Sequence, residues 1–159
     1  MAEILIKIIS EFEALQPRDF NLVYEDAFGM ETLNRLADEL MANASPEITA
    51  QTLLEFTERL SRSTEIDPRF DLGTPGPIVH TLEKISDYEK YLVESLKRFP
   101  TPLTVWMINR ILNVTTEKSK EEFWMKMLED VASNDEVSEM TRKEAKGFLR
   151  FQRTGKFSK

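Results

Sequence analysis

Apolar residues recur at intervals of three and four positions along almost the whole chain, and this spacing predicts helix. The first stripe contains Ile4, Ile8 and Phe12, and Pro17 marks its end. The alternation of apolar and polar residues that indicates a strand nowhere persists for more than a few positions. The sequence therefore predicts an all-α fold.

Several of these stripes begin with residues that favour the start of a helix. Ser45-Pro46 and Thr101-Pro102 each combine a capping hydroxyl with a proline at the first helical position. The connections that follow residue 77 are short, and short connections place successive helices antiparallel. We expect antiparallel helical hairpins, arranged either as an irregular α-solenoid of the HEAT or armadillo kind or as a helical bundle.

A weak internal repeat favours the solenoid. Residues 88–94 lie 36 positions before the similar residues 124–130, and the helices that follow them match loosely. Any two amphipathic helices resemble each other in this way, so the bundle remains the alternative. The length of 159 residues fits one domain. We predict a single all-helical domain over residues 1–159, with residues 62–77 as a Pro- and Gly-rich connection between two halves.

The chain has no cysteine, which excludes disulfides, a cysteine nucleophile and thiolate metal sites. Charged residues at Glu3, Lys7 and Glu11 interrupt any secretory leader, and no apolar run reaches the length of about 18 residues that spans a bilayer. We expect a cytoplasmic protein without a membrane partner.

The net charge of −7 is concentrated near the N-terminus, where residues 1–63 hold 12 acidic and 5 basic side chains. Such a surface repels nucleic acid and attracts a basic protein, although solubility alone is the simpler explanation. Residues 142–159 hold seven basic side chains and one acid. Because bases also suit the C-terminal end of a helix, we predict no nucleic-acid partner.

Catalytic motifs are absent from the sequence. His80 is the only histidine, and neither a nucleophile elbow nor a metal-binding histidine motif accompanies it. The loop Gly73–Pro77 lacks the glycine spacing of a phosphate cradle, and its prolines remove amide donors. We expect a protein that is not an enzyme and has no cofactor or metal, and we expect His80 to be packed and hydrogen-bonded in preference to contacting a partner.

The segment Leu103–Val114 is apolar on nearly every side, which predicts a central helix covered by its neighbours. Trp106, Arg110 and Asn113 share one ridge of this helix, and Asn109 lies beside it. These residues either hold neighbouring segments in place or form a binding ridge, and the surroundings of Trp106 favour a buried position.

Two stretches, residues 71–80 and 100–110, resemble small bacterial immunity proteins that partner secreted toxins, including the toxins of contact-dependent growth inhibition systems. The resemblance implies a cytoplasmic protein that binds and neutralises a cognate toxin domain. The alternative is a helical-repeat adaptor for protein–protein interaction that is unrelated to toxins.

Charge and side-chain type indicate which residues would contact a partner, which we expect to be a basic protein domain. The acidic candidates crowd a segment in which only Arg35 offsets them, and the alternative is that they form a solvated face. The candidates are Glu25, Asp26, Glu31, Asp38 and Glu39, together with His80, Trp106, Asn109 and Arg110.

Overall fold

A computed structural model describes residues 2–21, 27–63, 72 and 75–155. Within these ranges 82% of the residues are helical and no strand is present, so the prediction of an all-α fold is confirmed. A 3₁₀ helix, Pro17–Phe20, precedes the second of the α-helices. The α-helices are α1 (Ala2–Ala14), α2 (Gly29–Asn43), α3 (Pro46–Ser63), α4 (Gly76–Glu83), α5 (Tyr88–Arg98), α6 (Pro102–Val114), α7 (Lys118–Ser133) and α8 (Glu139–Arg153).

Contacts between residues divide the chain into two compact units, Met1–Val93 and Glu94–Lys159, and the boundary falls within α5. The Pro- and Gly-rich connection predicted at residues 62–77 lies largely outside the described residues. The single domain and the 36-residue repeat stay predictions.

Helix α2 is central to the first unit, where it packs against α1, α3, α4 and the 3₁₀ helix. Its inner face carries four apolar side chains that are at most 1% exposed, namely Leu33, Leu36, Ala37 and Leu40. Burial of one leucine side chain stabilises a fold by about 1.5–3 kcal/mol. The inner face therefore anchors α2 along most of its length.

The start of α2 lies directly against the 3₁₀ helix, and only glycine allows this approach. A Cβ atom on Gly29 would lie 2.5 Å from the carbonyl oxygen of Asp19 and 2.9 Å from the ring of Phe20. Both neighbours are fixed, since Phe20 is buried and the oxygen belongs to the backbone. Gly29 thus sets the position of the first turn of α2.

Arg59 fastens the C-terminal end of α1 to α3. Its guanidinium donates hydrogen bonds to the carbonyl oxygens of Phe12 and Leu15, both at 2.9 Å. The same group lies 5.6 Å from the ring centre of Phe56, and that ring packs edge-to-face on Phe12 at 5.3 Å. Carbonyl groups in the last turn of a helix lack partners within the helix, so Arg59 supplies donors where the helix needs them.

In the second unit, α6, α7 and α8 pack on one another. Helix α6 begins as predicted, with Thr101 as its cap and Pro102 as its first residue. The backbone N–H of Thr101 donates to the hydroxyl of Thr104 at 2.9 Å, and the N–H of Thr104 donates to the hydroxyl of Thr101 at 3.1 Å. Both threonines are fully buried, so this reciprocal cap is part of the core of the unit.

We expect the substitution Arg59→Met to lower the free energy of unfolding by about 1–3 kcal/mol, because it leaves two half-buried carbonyl groups without their charged donor. Urea denaturation followed by circular dichroism measures the change. Lys7→Met removes one charge from an exposed position on α1 and is the control. Equal stability of the two variants would show that Arg59 does not fasten α1.

Candidate functional site

The outer face of α2 carries the acidic candidates that the structure describes. Glu31, Asn34, Asp38 and Met41 recur along this face at intervals of three and four residues, and all four are exposed. We call these four residues the acidic stripe. Met41, 40% exposed, adds an apolar side chain one turn after Asp38. The stripe lies opposite the buried inner face, so the packing of α2 fixes its direction.

The cation beside the stripe is already paired. Arg35 donates to Glu39 at 2.9 Å and to Glu11 at 3.2 Å. Its hydrogen bond with Glu39, which has the larger effect, and its hydrogen bond with Glu11 raise the pKa of the Arg35 guanidinium above its ordinary value. Glu31 and Asp38 form no ion pair with any residue that the structure describes. Two carboxylates of the stripe therefore remain available to a partner.

The two compact units differ in the sign of their net charge. Residues 1–93 hold 18 acidic and 8 basic side chains, a net charge of −10. Residues 94–159 hold 10 acidic and 13 basic side chains, a net charge of +3. The field around the first unit therefore favours the approach of a basic molecule to the stripe, and added salt screens that field.

The other acidic candidates are placed differently. Glu39 is half-exposed and bound to Arg35, so it acts first as a partner for that cation. Glu25 and Asp26 lie outside the described residues. The structure thus places Glu31 and Asp38 together on one surface and assigns Glu39 to a neighbouring ion pair.

His80 does not have the environment that the sequence favoured. It is exposed in the last turn of α4 and has no hydrogen bond within the described part of the chain. The expectation of a packed, hydrogen-bonded histidine is therefore wrong. The apolar neighbours Ile78 and Val79 are fully buried. The helix turns by about 100° per residue, so residue 80 lies on the solvent side of α4.

The polar residues of α6 separate into two groups. Asn109 is 8% exposed and accepts a hydrogen bond from the side-chain amide of Gln152 at 2.7 Å. Gln152 also donates to Asn113 at 2.8 Å, so it connects α8 to α6. Trp106 is half-buried and lies under the guanidinium of Arg110, which is 5.2 Å from the ring centre. Asn109 is thus a structural residue, whereas Trp106 and Arg110 are accessible from solvent.

Sequence reasoning missed two residues of the second unit. Gln152 lies seven positions after Ala145 and three after Leu149 on the buried stripe of α8, and a polar residue at such spacing signals a buried hydrogen bond. Trp124 is the deeply buried tryptophan of the two, at 2% exposure. Its flanking charges at Glu121, Glu122 and Lys126 gave no sign of that depth.

No group of three or more histidine, aspartate or glutamate side chains within the described ranges could hold a metal ion. In the same ranges, no helix is both long and apolar enough to cross a bilayer. The main chemical feature of the outer face of α2 is therefore the pair of exposed carboxylates, Glu31 and Asp38. Such a face is suited to binding through charge and shape.

Comparisons of the chain with protein-family models, with curated proteins and with solved structures find no match.

The two tryptophans make a matched test of burial. We expect Trp124→Ala to lower the free energy of unfolding by about 3–5 kcal/mol, as for the removal of a large core side chain. Trp106→Ala should cost less, roughly 1–2 kcal/mol, because Trp106 is only half-buried whereas Trp124 is buried. Urea denaturation of both variants measures the difference. A loss at Trp106 as large as that at Trp124 would make Trp106 a core residue.

Proposed function

We propose that this protein is a cytoplasmic immunity protein that binds a cognate bacterial toxin domain and neutralises it. The observation that carries the proposal is the acidic stripe on α2, where Glu31 and Asp38 are exposed and form no ion pair with the described residues, in a unit of net charge −10. The resemblance of residues 71–80 and 100–110 to immunity proteins supplies the class of partner. The charge of the stripe requires that the toxin present a basic surface.

Tight binding would follow from the rigidity and the charge of α2. The buried inner face of α2 holds the stripe in one orientation, so little conformational freedom is lost when a partner docks. Carboxylates on a negatively charged unit raise the rate of encounter with a basic domain. Asn34 and Met41 then add amide and apolar contacts that slow dissociation. A toxin covered in this way loses access to its substrate by steric exclusion and by charge compensation.

A helical adaptor unrelated to toxins is the second candidate, and one observation favours it. Trp106 and Arg110 are partly exposed and stacked on each other, and these two residue types are common among the side chains that dominate binding energy at interfaces. An adaptor would use this pair on the second unit as well as the stripe on the first. Protection against a toxin distinguishes the two functions.

The experiment is co-expression with the toxin domain encoded by the reading frame adjacent to this gene. We expect the wild-type chain to restore growth of cells that express the toxin. The double variant Glu31→Lys/Asp38→Lys should lose protection, because two repulsive contacts replace two attractive ones. Pull-down of the purified toxin domain should show the same loss of complex.

The matched control is Glu13→Lys/Glu55→Lys, which changes the net charge equally at exposed positions on α1 and α3. It should protect as well as the wild-type chain does. Loss of protection in both double variants would attribute the effect to net charge alone. If the wild-type chain and the control both failed to protect the cells, the result would contradict the immunity function and favour the adaptor.

A further inference from the structure

The outer face of α8 is a second charged surface, in which three exposed bases outnumber the two exposed acids, Glu139 and Glu144. Lys143, Lys146 and Arg150 are exposed on this face, and none of them forms an ion pair within the described residues. Gly147 lies between them, and Met140 lies one turn before Lys143 at 38% exposure. We call these five residues the basic face.

Gly147 is the unusual member of the basic face. Glycine weakens the interior of a helix, and an alanine would suit this exposed position better. Apart from the backbone of α8 itself, no atom of the described residues lies within 4 Å of the place where its Cβ would be, so no packing contact among these residues requires the glycine. A missing side chain on an outer helix face permits the close approach of another backbone. This observation, together with the charges, indicates that the basic face receives a second helix.

We propose that the basic face docks on the acidic stripe of a second copy of this chain, with the two helices antiparallel. In this register Arg150 lies opposite Glu31, and Lys143 lies opposite Asp38. The two acids are seven residues apart and so are the two bases, about 10.5 Å along each helix. The same register brings Met140 to Met41 and Gly147 to Asn34, so apolar and close-packing positions match as well.

The remaining base of the face, Lys146, comes opposite Arg35 in this register. Arg35 lies between the carboxylates of Glu39 and Glu11, at 2.9 and 3.2 Å, so Lys146 meets a cluster with net negative charge. Exposed ion pairs contribute little individually. The contact is therefore weak, depends on protein concentration and decreases with salt. It uses different surfaces on the two copies and is heterologous.

Self-docking goes beyond the proposed function and does not rest on it. It occupies the same acidic stripe that the toxin would bind, so a toxin with a more basic surface would displace the second copy. Lys143→Asp should therefore leave protection against the toxin intact while it weakens self-docking. Failure of one proposal leaves the other standing.

The test is sedimentation velocity of the full chain over a series of protein concentrations, at about 20 mM and about 500 mM salt. At low salt we expect the sedimentation coefficient of the wild-type chain to rise with concentration, and at high salt we expect a monomer. Asp38→Lys and Lys143→Asp should each weaken the association by about tenfold or more. An equal mixture of the two variants should associate as the wild type does, because each altered surface then meets its complement.

Gly147→Leu is a second variant that leaves every charge in place. It should retain the helical signal in circular dichroism, since leucine favours helix, and it should block association sterically. The controls Glu55→Lys and Lys118→Glu change exposed charges on α3 and α7 and should associate normally. A wild-type chain that is monomeric at every concentration would overturn the proposal. Unchanged association of both single variants would also overturn it, as would a mixture of the two variants in which association is not restored.

Discussion

Four apolar side chains on the inner face of α2 hold the first unit together, and the orientation of its outer surface depends on them. Leu33, Leu36, Ala37 and Leu40 are buried against three helices and the 3₁₀ helix. A helix packed along one side presents the opposite side at a fixed angle. Glu31 and Asp38 are therefore held seven residues apart on a rigid support, and the core of this unit determines the geometry of its charged surface.

Two tertiary contacts fix this support in a way that helical periodicity does not reveal. Arg59 reaches the carbonyl groups of Phe12 and Leu15 across more than 40 residues of sequence. Gly29 admits the backbone of Asp19 at a distance that any side chain would prevent. Helix stripes and caps depend on neighbours in sequence, which is why α6 could be predicted from Thr101. The contacts of Arg59 and Gly29 depend on the tertiary fold, so periodicity alone could not supply them.

The candidate site also combines features that follow from local sequence spacing with features that depend on the tertiary fold. The seven-residue spacing of Glu31 and Asp38 predicts that they share one helix face, and the structure agrees because both residues lie in a single uninterrupted helix. Trp106 was expected to be buried because α6 is apolar on nearly every side. Periodicity shows that a helix is covered but does not show which ridge remains open, and the open ridge is the one that carries Trp106 and Arg110. The apolar neighbours Ile78 and Val79 likewise predict a covered helix but do not show that His80 lies on its exposed side.

The overall charge of −7 conceals a separation into units of −10 and +3. The first unit has an acidic outer face on α2, and the second unit has a basic outer face on α8. Toxin binding and self-docking both use the acidic stripe on α2. A protein with complementary surfaces of its own must bind its partner more strongly than it binds itself. The partner surface should therefore be more basic than the outer face of α8, which also carries Glu139 and Glu144.

The most direct measurement is the rate of association with the proposed partner, the purified domain encoded by the adjacent reading frame, in stopped flow at a series of salt concentrations. The Debye length falls from about 10 Å at 0.1 M salt to about 3 Å at 1 M, so a rate set by the acidic stripe should fall steeply over this range. The Glu31→Lys/Asp38→Lys variant should associate slowly at low salt and show little dependence on salt. A variant with the same rate and the same salt dependence as the wild-type chain would contradict the account and place the interface away from α2.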